Sequence, residues 1–451
     1  MKKSNEKKEV PKKYSKNLEV INDHAAGIDI GDSEHYIAIE KGDSYEVNRV
    51  DAFTEGLVYI VKWLVSEGIT KVAMESTGIY WLSLYIMLEE AGIEVYLVNA
   101  KHVKNVTGRK QDDTDAIWLQ KLHRCGLLQK SFQPENEQRI LRTYTRQRKN
   151  LVTIASDSVR RMQKALELMN IKIHLVISDV IGKTGMHMIE SILAGERNPE
   201  ELVKLTDPCI KASKEDIIKS LQGIWSEEYL FMLKQAYDEY HFFQHQVKEC
   251  ETKIEQQLLK QVAKVREGDI TNIILSAQLK KKPKKNQFNF ALAPYLTGLI
   301  GVDLTKIPGV SEVTAIEFIA EVGTDMSKWA SAKHFAAWLN LAPNTKKTGG
   351  KIISSKIMKK KNKAGQSLKM AASSLFNSKS PLGDYYRRIR GKLGGKGAVV
   401  ATAHKLARII YTMIKDKKEN DTDMLIESQE QYKKQRIKLL KKQLAKLEMA
   451  A

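Results

Sequence analysis

The stretch His24-Ala-Ala-Gly-Ile-Asp-Ile-Gly31 decides how the first part of this chain folds. It reads as a buried β-strand carrying one carboxylate. Side chains alternate between the two faces of a strand. Ile28 and Ile30 therefore turn to one side, and Gly27, Asp29 and Gly31 to the other. The glycines are expected to leave open space beside Asp29, where a metal ion and a phosphate can approach. A charge set into an apolar strand is costly unless something compensates it. The plainer alternative is a strand-end aspartate that caps the next turn, and the acidic residues further along decide between the two.

Outward from that stretch, Tyr36–Glu40 and Tyr45–Val50 read as two more strands joined by a turn at Gly42-Asp43. Thr54 opens an amphipathic helix with Leu57, Ile60, Val61, Leu64 and Val65 on one face, stopped by Gly68. Lys71–Glu75 is a short buried strand that ends in a second carboxylate. A helix from Ile79 to Gly92 and a strand at Glu94–Val98 follow. Three hairpin strands followed by alternating helix and strand predict a mixed α/β sheet. Gly108–Ala116 then opens a helix running to Cys125. Asp112 and Asp115 are three apart and share a helix face, while Asp113 turns away. The helix macrodipole accounts for one or two aspartates here. It does not account for a strand aspartate, a strand-end glutamate and this pair following one another at positions that suit the fold.

The chain has 451 residues, enough for two or three domains, and 42% of them are hydrophobic. Its formal net charge of +20 points to a polyanionic partner, most simply nucleic acid. Cys125, Cys209 and Cys250 make no metal-binding or CxxC spacing, which fits a reducing cytoplasm. The charged start lacks the apolar core of a signal peptide, and no apolar run reaches membrane-spanning length.

The remaining chain divides by composition. Residues 1–20 read as a basic tail, unstructured until it meets phosphate. Residues 21–170 are expected to form the α/β domain, ending in a helical stretch with Arg139, Arg142, Arg146, Arg148, Lys149, Arg160 and Arg161. Such a face can track a phosphate backbone or simply be solvated. Residues 171–300 form a helical insert and basic linker, in which Trp225–Val265 reads as a helical hairpin or a coiled coil joining two subunits. His241 and His245 are spaced four apart there, without a third ligand, and read as exposed helix residues. Residues 301–415 form a further domain, and 416–451 a charged helical tail. Within that further domain, Leu304–Ala315 reads as helix, tight Pro308-Gly309 turn, helix. This resembles a helix-hairpin-helix element, whose backbone N–H groups hold phosphate without reading bases. Asn344–Lys356 is a polar, glycine-containing, basic loop. Tyr385–Lys392 interleaves aromatics with Arg387 and Arg388, a mix suited to backbone contact and base stacking.

With these motifs in place, the chain resembles the insertion-sequence-110 type of transposase, the DEDD group linked to bridge RNAs. One block carrying the resemblance is Gly27–Gly31, Met74–Trp81 and Lys110–Ala116. The other is Ile307–Val310, Ala342–Asn344, Thr348–Lys351 and His404–Arg408. The resemblance implies a ribonuclease H-like (RuvC-like) domain, a helical insert and a mostly helical C-terminal transposase domain. It implies Asp29, Glu75, Asp112 and Asp115 as the acidic set, a group of hard oxygen ligands suited to one or two Mg²⁺ ions. Arg109, Lys110 and Lys351 become natural phosphate clamps, beside Gly309, Arg387 and Arg388.

The family pattern has a serine before Gly-Gly-Lys that is thought to attack DNA, and here that position is Thr348. Either Thr348 is the nucleophile, or Ser354 or Ser355 takes over, or this copy is impaired. The family also implies a structured guide RNA, assembly as a dimer or tetramer, and a nucleoid-associated place in a bacterial or archaeal cytoplasm. A Holliday-junction-resolvase-like nuclease and an inactive nucleic-acid-binding relative are the alternatives. A sugar-kinase or actin-like ATPase lacks its second phosphate loop in this sequence.

Overall fold

The computed structural model describes residues 6–11, 19–99, 115–266, 285–357 and 362–419, and the isolated positions 276, 434, 437, 438 and 441. The chain divides between Gln133 and Pro134 into two compact units. The helix that follows Pro134, within the span 21–170 read as one domain from the sequence, packs with the second unit.

The first unit is a six-stranded sheet ordered β1-β4-β3-β2-β5-β6. Its strands are Glu6–Pro11 (β1), Ala25–Ile30 (β2), Glu34–Lys41 (β3), Ser44–Asp51 (β4), Lys71–Glu75 (β5) and Glu94–Val98 (β6). β1, β4, β3 and β2 pair antiparallel, whereas β2, β5 and β6 run parallel. This order fits a ribonuclease H-like domain. β1 corrects the expectation of an unstructured tail over residues 1–20. The edge of β4 offers unpaired backbone groups, and residues 6–11 satisfy them from Glu6 opposite Arg49 to Pro11 opposite Ser44.

Alternation along the strands sorts the core into two layers. Ile28, Ile30, Val72 and Met74 pack under the helices Thr54–Ser66 (α1) and Trp81–Glu90 (α2), with Ile60, Leu64, Leu84 and Leu88. Ala38, Ala73 and Val98, on the opposite face, meet Ala116, Ile117, Leu119 and Leu122 of the helix Asp115–Arg124 (α3).

The second unit is mostly helical. Its spine is the 33-residue helix Asn136–Leu168 (α4) laid antiparallel against the 40-residue helix Glu227–Arg266 (α5). Their direction follows from the cross-links. Lys264 pairs with Glu137, Arg148 with Glu251 and Arg161 with Glu239. The expected hairpin over 225–265 is thus one continuous helix, and its coiled partner belongs to the same chain. Helices Lys183–Leu193 and Lys214–Leu221 close a core over the far end of this pair, around Met162, Met169, Ile189 and Leu233.

Beyond residue 285 come the helices Leu292–Ile300, Glu312–Val322 (α6) and Ala332–Trp338. A small hairpin, Lys346–Thr348 (β7) with Lys351–Ser354 (β8), leads to the helices Lys363–Ser374 (α7) and Pro381–Asp416 (α8). The basic linker expected at 279–285 and the tail from 416 lie almost wholly outside the described residues. Among the described residues no helix is long and apolar enough to cross a membrane.

Candidate active site

Asp29 and Glu75 stand at the ends of neighbouring parallel strands. Gly27 pairs with Ala73 and Ile28 with Met74, so the next residues, Asp29 and Glu75, reach the same level on the same face. Both are partly exposed, which suits groups that take up a ligand from solvent.

The face they share is the one covered by α3. Gln120 Nε2 donates to the Ala25 carbonyl at 3.3 Å, and Asn22 Nδ2 to the His123 carbonyl at 2.7 Å. Arg124 pairs with Glu40 at 2.9 Å. The C-terminal end of α3 is therefore pinned at the start of β2, and its N-terminal residue Asp115 is directed toward the Asp29 end of the strand. Asp112 lies outside the described residues, as do Arg109 and Lys110. Among the described residues no three His, Cys, Asp or Glu side chains form a group able to hold a metal.

The glycines beside Asp29 have a different role from the one expected. A Cβ on Gly27 would lie 2.2 Å from the Ala116 carbonyl oxygen and 2.4 Å from Gln120 N. A Cβ on Gly31 would lie 2.5 Å from the Glu34 carbonyl oxygen. Neither glycine opens a cavity. Gly27 lets α3 sit directly on β2, and Gly31 lets the hairpin turn close. Gly27→Ala must push the helix backbone away, which costs about 1–3 kcal/mol or more. We expect a lowered thermal midpoint and, because Asp115 moves with α3, a loss of DNA cleavage larger than the stability loss explains. A variant as stable and as active as the parent would refute this packing. Sequence reasoning missed Gly27 and Gln120 as positioning residues; the small residues Ala25 and Gly27, alternating on the face of β2 away from Ile28, were the available signal.

Thr348 ends β7 and pairs with Lys351 across Gly349-Gly350, whose φ angles are 53° and 77°. Two positive-φ residues make the tight turn that matches strand twist, and glycine adopts it without strain. Thr348 and Lys351 are exposed, and Ser355 also, while Ser354 is half-buried. The loop is closed at its base by Asn344 N donating to the Lys356 carbonyl at 3.1 Å.

At the expected helix-hairpin-helix element, the leading helix is a short 3-10 turn, Leu304–Lys306, before Pro308-Gly309 and α6. Gly309 has φ 88°, and a Cβ there would meet the Ala371 carbonyl oxygen and Leu375 Cγ at 2.9 Å. The turn is therefore seated on α7. Arg387 donates to the carbonyls of Phe376 and Ser378 at 2.9 and 2.6 Å and pairs with Asp384. Its guanidinium ties down the chain around residue 377. Arg388 lies over the Tyr385 ring, 5.4 Å from its centroid.

The basic face of α4 is largely consumed inside the unit. Arg142 and Arg146 converge on Glu321, Lys149 pairs with Glu317 at 2.7 Å, and Arg148 is buried against Glu251. His241 and His245 are exposed, as expected, with His241 against the Tyr237 ring.

Two family models match the chain. Residues 26–171 match the DEDD transposase model of the IS110 group, and residues 303–387 match the model described as transposase IS116/IS110/IS902 family. Together they take in just over half of the chain. The chain belongs to the IS110 transposase family. A comparison with curated proteins returns no match. As an IS110-family member it is a DNA transposase with a DEDD-type domain. The first match takes in β2 to β6, α3 and α4, including Asp29, Glu75, Asp112 and Asp115. The second takes in Gly309, the Thr348–Lys351 hairpin and α7.

Proposed function

We propose that this transposase cuts and rejoins DNA with two kinds of group: a carboxylate set on the first unit and a hydroxyl on the β7–β8 hairpin. The observation that carries the reading is the common level and face of Asp29 and Glu75, with the N-terminus of α3 directed to the same end of the sheet. A donor set made only of carboxylate oxygens suits a hard divalent cation. Asp29, Glu75 and Asp115, with Asp112 of the adjoining segment, would hold Mg²⁺, in two ions. Bound there, Mg²⁺ would supply charge stabilisation to the oxygens that attack and leave phosphorus.

The protein's own step is assigned to Thr348. Its Oγ1 forms a bond to phosphorus, the bond to one deoxyribose oxygen breaks, and the hydroxyl proton is lost to a base. The threonyl phosphodiester keeps the energy of the broken linkage, so a second DNA hydroxyl can reverse the attack and join new ends. Lys351, across the strand pair, would neutralise the phosphate, with Arg109 and Lys110 doing so near the carboxylates. A guide RNA and a dimeric or tetrameric assembly belong to the same proposal. The net charge of +20 supports it, since two nucleic acids have to be neutralised.

The test is a covalent trap. The protein is incubated with Mg²⁺, the RNA from its element and labelled DNA, then denatured and mapped by peptide mass. We expect an adduct on Thr348 that Thr348→Ala removes and Thr348→Ser restores. An adduct on Ser354 or Ser355 moves the nucleophile along β8. Hydrolytic nicks without any adduct would favour a resolvase-like nuclease, and binding without either would favour an inactive relative.

A further inference from the structure

The helix α8 is interrupted at Gly394, where φ is 71° and ψ 177°. In an unbroken helix Tyr385 and Lys405 would stand about 30 Å apart. Here Lys405 Nζ lies 4.6 Å from the centroid of the Tyr385 ring, so the chain doubles back at Gly394. The Arg388 guanidinium lies against the same ring. On the second half of α8, His404, Lys405 and Arg408 are spaced so as to share one side of the helix.

The fold thus gathers Arg388 and Lys405 at one aromatic ring, with Arg408 near enough for its charge to act on Lys405. Lys405 is half-buried, and burial first, then Arg388 and Arg408, pull its pKa below the usual lysine range. Burial and then Arg408 pull His404 down as well. Among the described residues, the charges that shift these two groups are positive. Asp384, in the first turn of this helix, pairs with Arg387. Withdrawing an ammonium from water beside two guanidiniums is unfavourable, and the face of a tyrosine offsets only part of it. A structural role would be served by a methionine or a leucine at lower cost. Three converging cations are what a phosphodiester needs.

We propose that Lys405 and Arg408, with Arg388 at the same Tyr385 ring as Lys405, hold a backbone phosphate of the DNA on which this transposase acts. None of these residues belongs to the Thr348 hairpin or to the carboxylate set, and Lys405 and Arg408 lie beyond the residues matched by the second family model. It rests on the reading of the chain as a DNA-acting enzyme.

The test is binding of the full chain to a fluorescein-labelled DNA duplex of random sequence across a salt series, with a random-sequence RNA strand in parallel. The variants are Lys405→Gln with Arg408→Gln, the conservative Lys405→Arg with Arg408→Lys, and the distant control Lys204→Gln. A lost phosphate contact lowers the slope of log K against log salt by about 0.9. We therefore expect the neutralised pair to lose about 1 from that slope and to bind about tenfold or more weakly at low salt, while the conservative pair and the control keep the parent values. Its thermal midpoint without DNA should stay level or rise by about 2 °C, because a desolvated cation has been removed. An unchanged slope overturns the proposal, and so does a midpoint that falls by several degrees, which would mark a packing role. A change confined to RNA overturns the assignment to DNA. Parent protein that shows no salt-dependent DNA binding overturns the underlying reading instead.

Discussion

Asp29→Asn lowers divalent-metal-dependent DNA cleavage by at least about 10³-fold while leaving the fold intact. The size follows from the kind of group removed. Replacing a residue that only supports a metal ligand costs about 10–100-fold, so loss of Asp29, if it is the ligand proposed above, should exceed that. Asp29 occupies the middle of the sheet, on the strand between β3 and β5, with Glu75 level with it. Asparagine keeps its shape and its place in the strand but supplies one neutral oxygen where a charged carboxylate stood. The first measurement is a single-turnover cleavage rate at saturating Mg²⁺, accompanied by circular dichroism and a thermal melt. Titration with Mn²⁺, followed by its paramagnetic relaxation, separates metal binding from chemistry. Cleavage within tenfold of the parent would remove Asp29 from the reacting centre. Intact metal affinity with lost cleavage would keep it there and change its role.

Glu251→Ala destabilises the second unit by about 3–5 kcal/mol, the range for breaking a buried ion pair by deleting one partner. Glu251 and Arg148 side chains are 2% and 6% exposed, and Arg148 Nη2 lies 2.7 Å from Glu251 Oε1. Arg148 also reaches the Asn286 carbonyl at 3.1 Å, and its guanidinium carbon lies 3.7 Å from the Phe288 ring centroid. The second carboxylate oxygen of Glu251 accepts from the backbone N of Asn289 at 3.0 Å. Deleting the carboxylate strands a guanidinium between two long helices and frees the segment at 286–289. The paired replacement Arg148→Met with Glu251→Leu should recover most of the loss, since no charge is then left buried. Urea unfolding of both variants and of each single change gives the coupling between them. A loss below about 1 kcal/mol for Glu251→Ala would mean that water reaches the pair.

The sheet was legible because its signals are local. Alternation in Ile28–Ile30, the Gly42-Asp43 turn and the helical period from Leu57 each lie within a few residues of one another, and β2 to β6 form where those signals stand. The neighbouring strand positions of Asp29 and Glu75 were legible for the same reason, since each lies at the end of a recognisable strand. What escaped depends on partners distant in sequence. The arginines of α4 look like a phosphate track until Glu251, Glu317, Glu321 and Glu239 are brought to them from up to about 180 residues away. Residues 6–11 look like any charged tail, since what makes them a strand is the vacant edge of β4. The fold-back at Gly394 was hidden too, because a glycine within a helical pattern does not say which later cation will meet Tyr385.

The β7–β8 hairpin has a consequence for how such an element lives with its host. Thr348 is displayed in solvent, and among the described residues no side chain hydrogen-bonds its hydroxyl. If Thr348 is the nucleophile proposed above, a group so placed would be dormant until DNA assembled around it brought the groups that deprotonate and aim it. Surplus copies of the protein would then be harmless to the chromosome. Abundance and activity would become separate quantities, and a cell could carry much of this enzyme while suffering little of its chemistry.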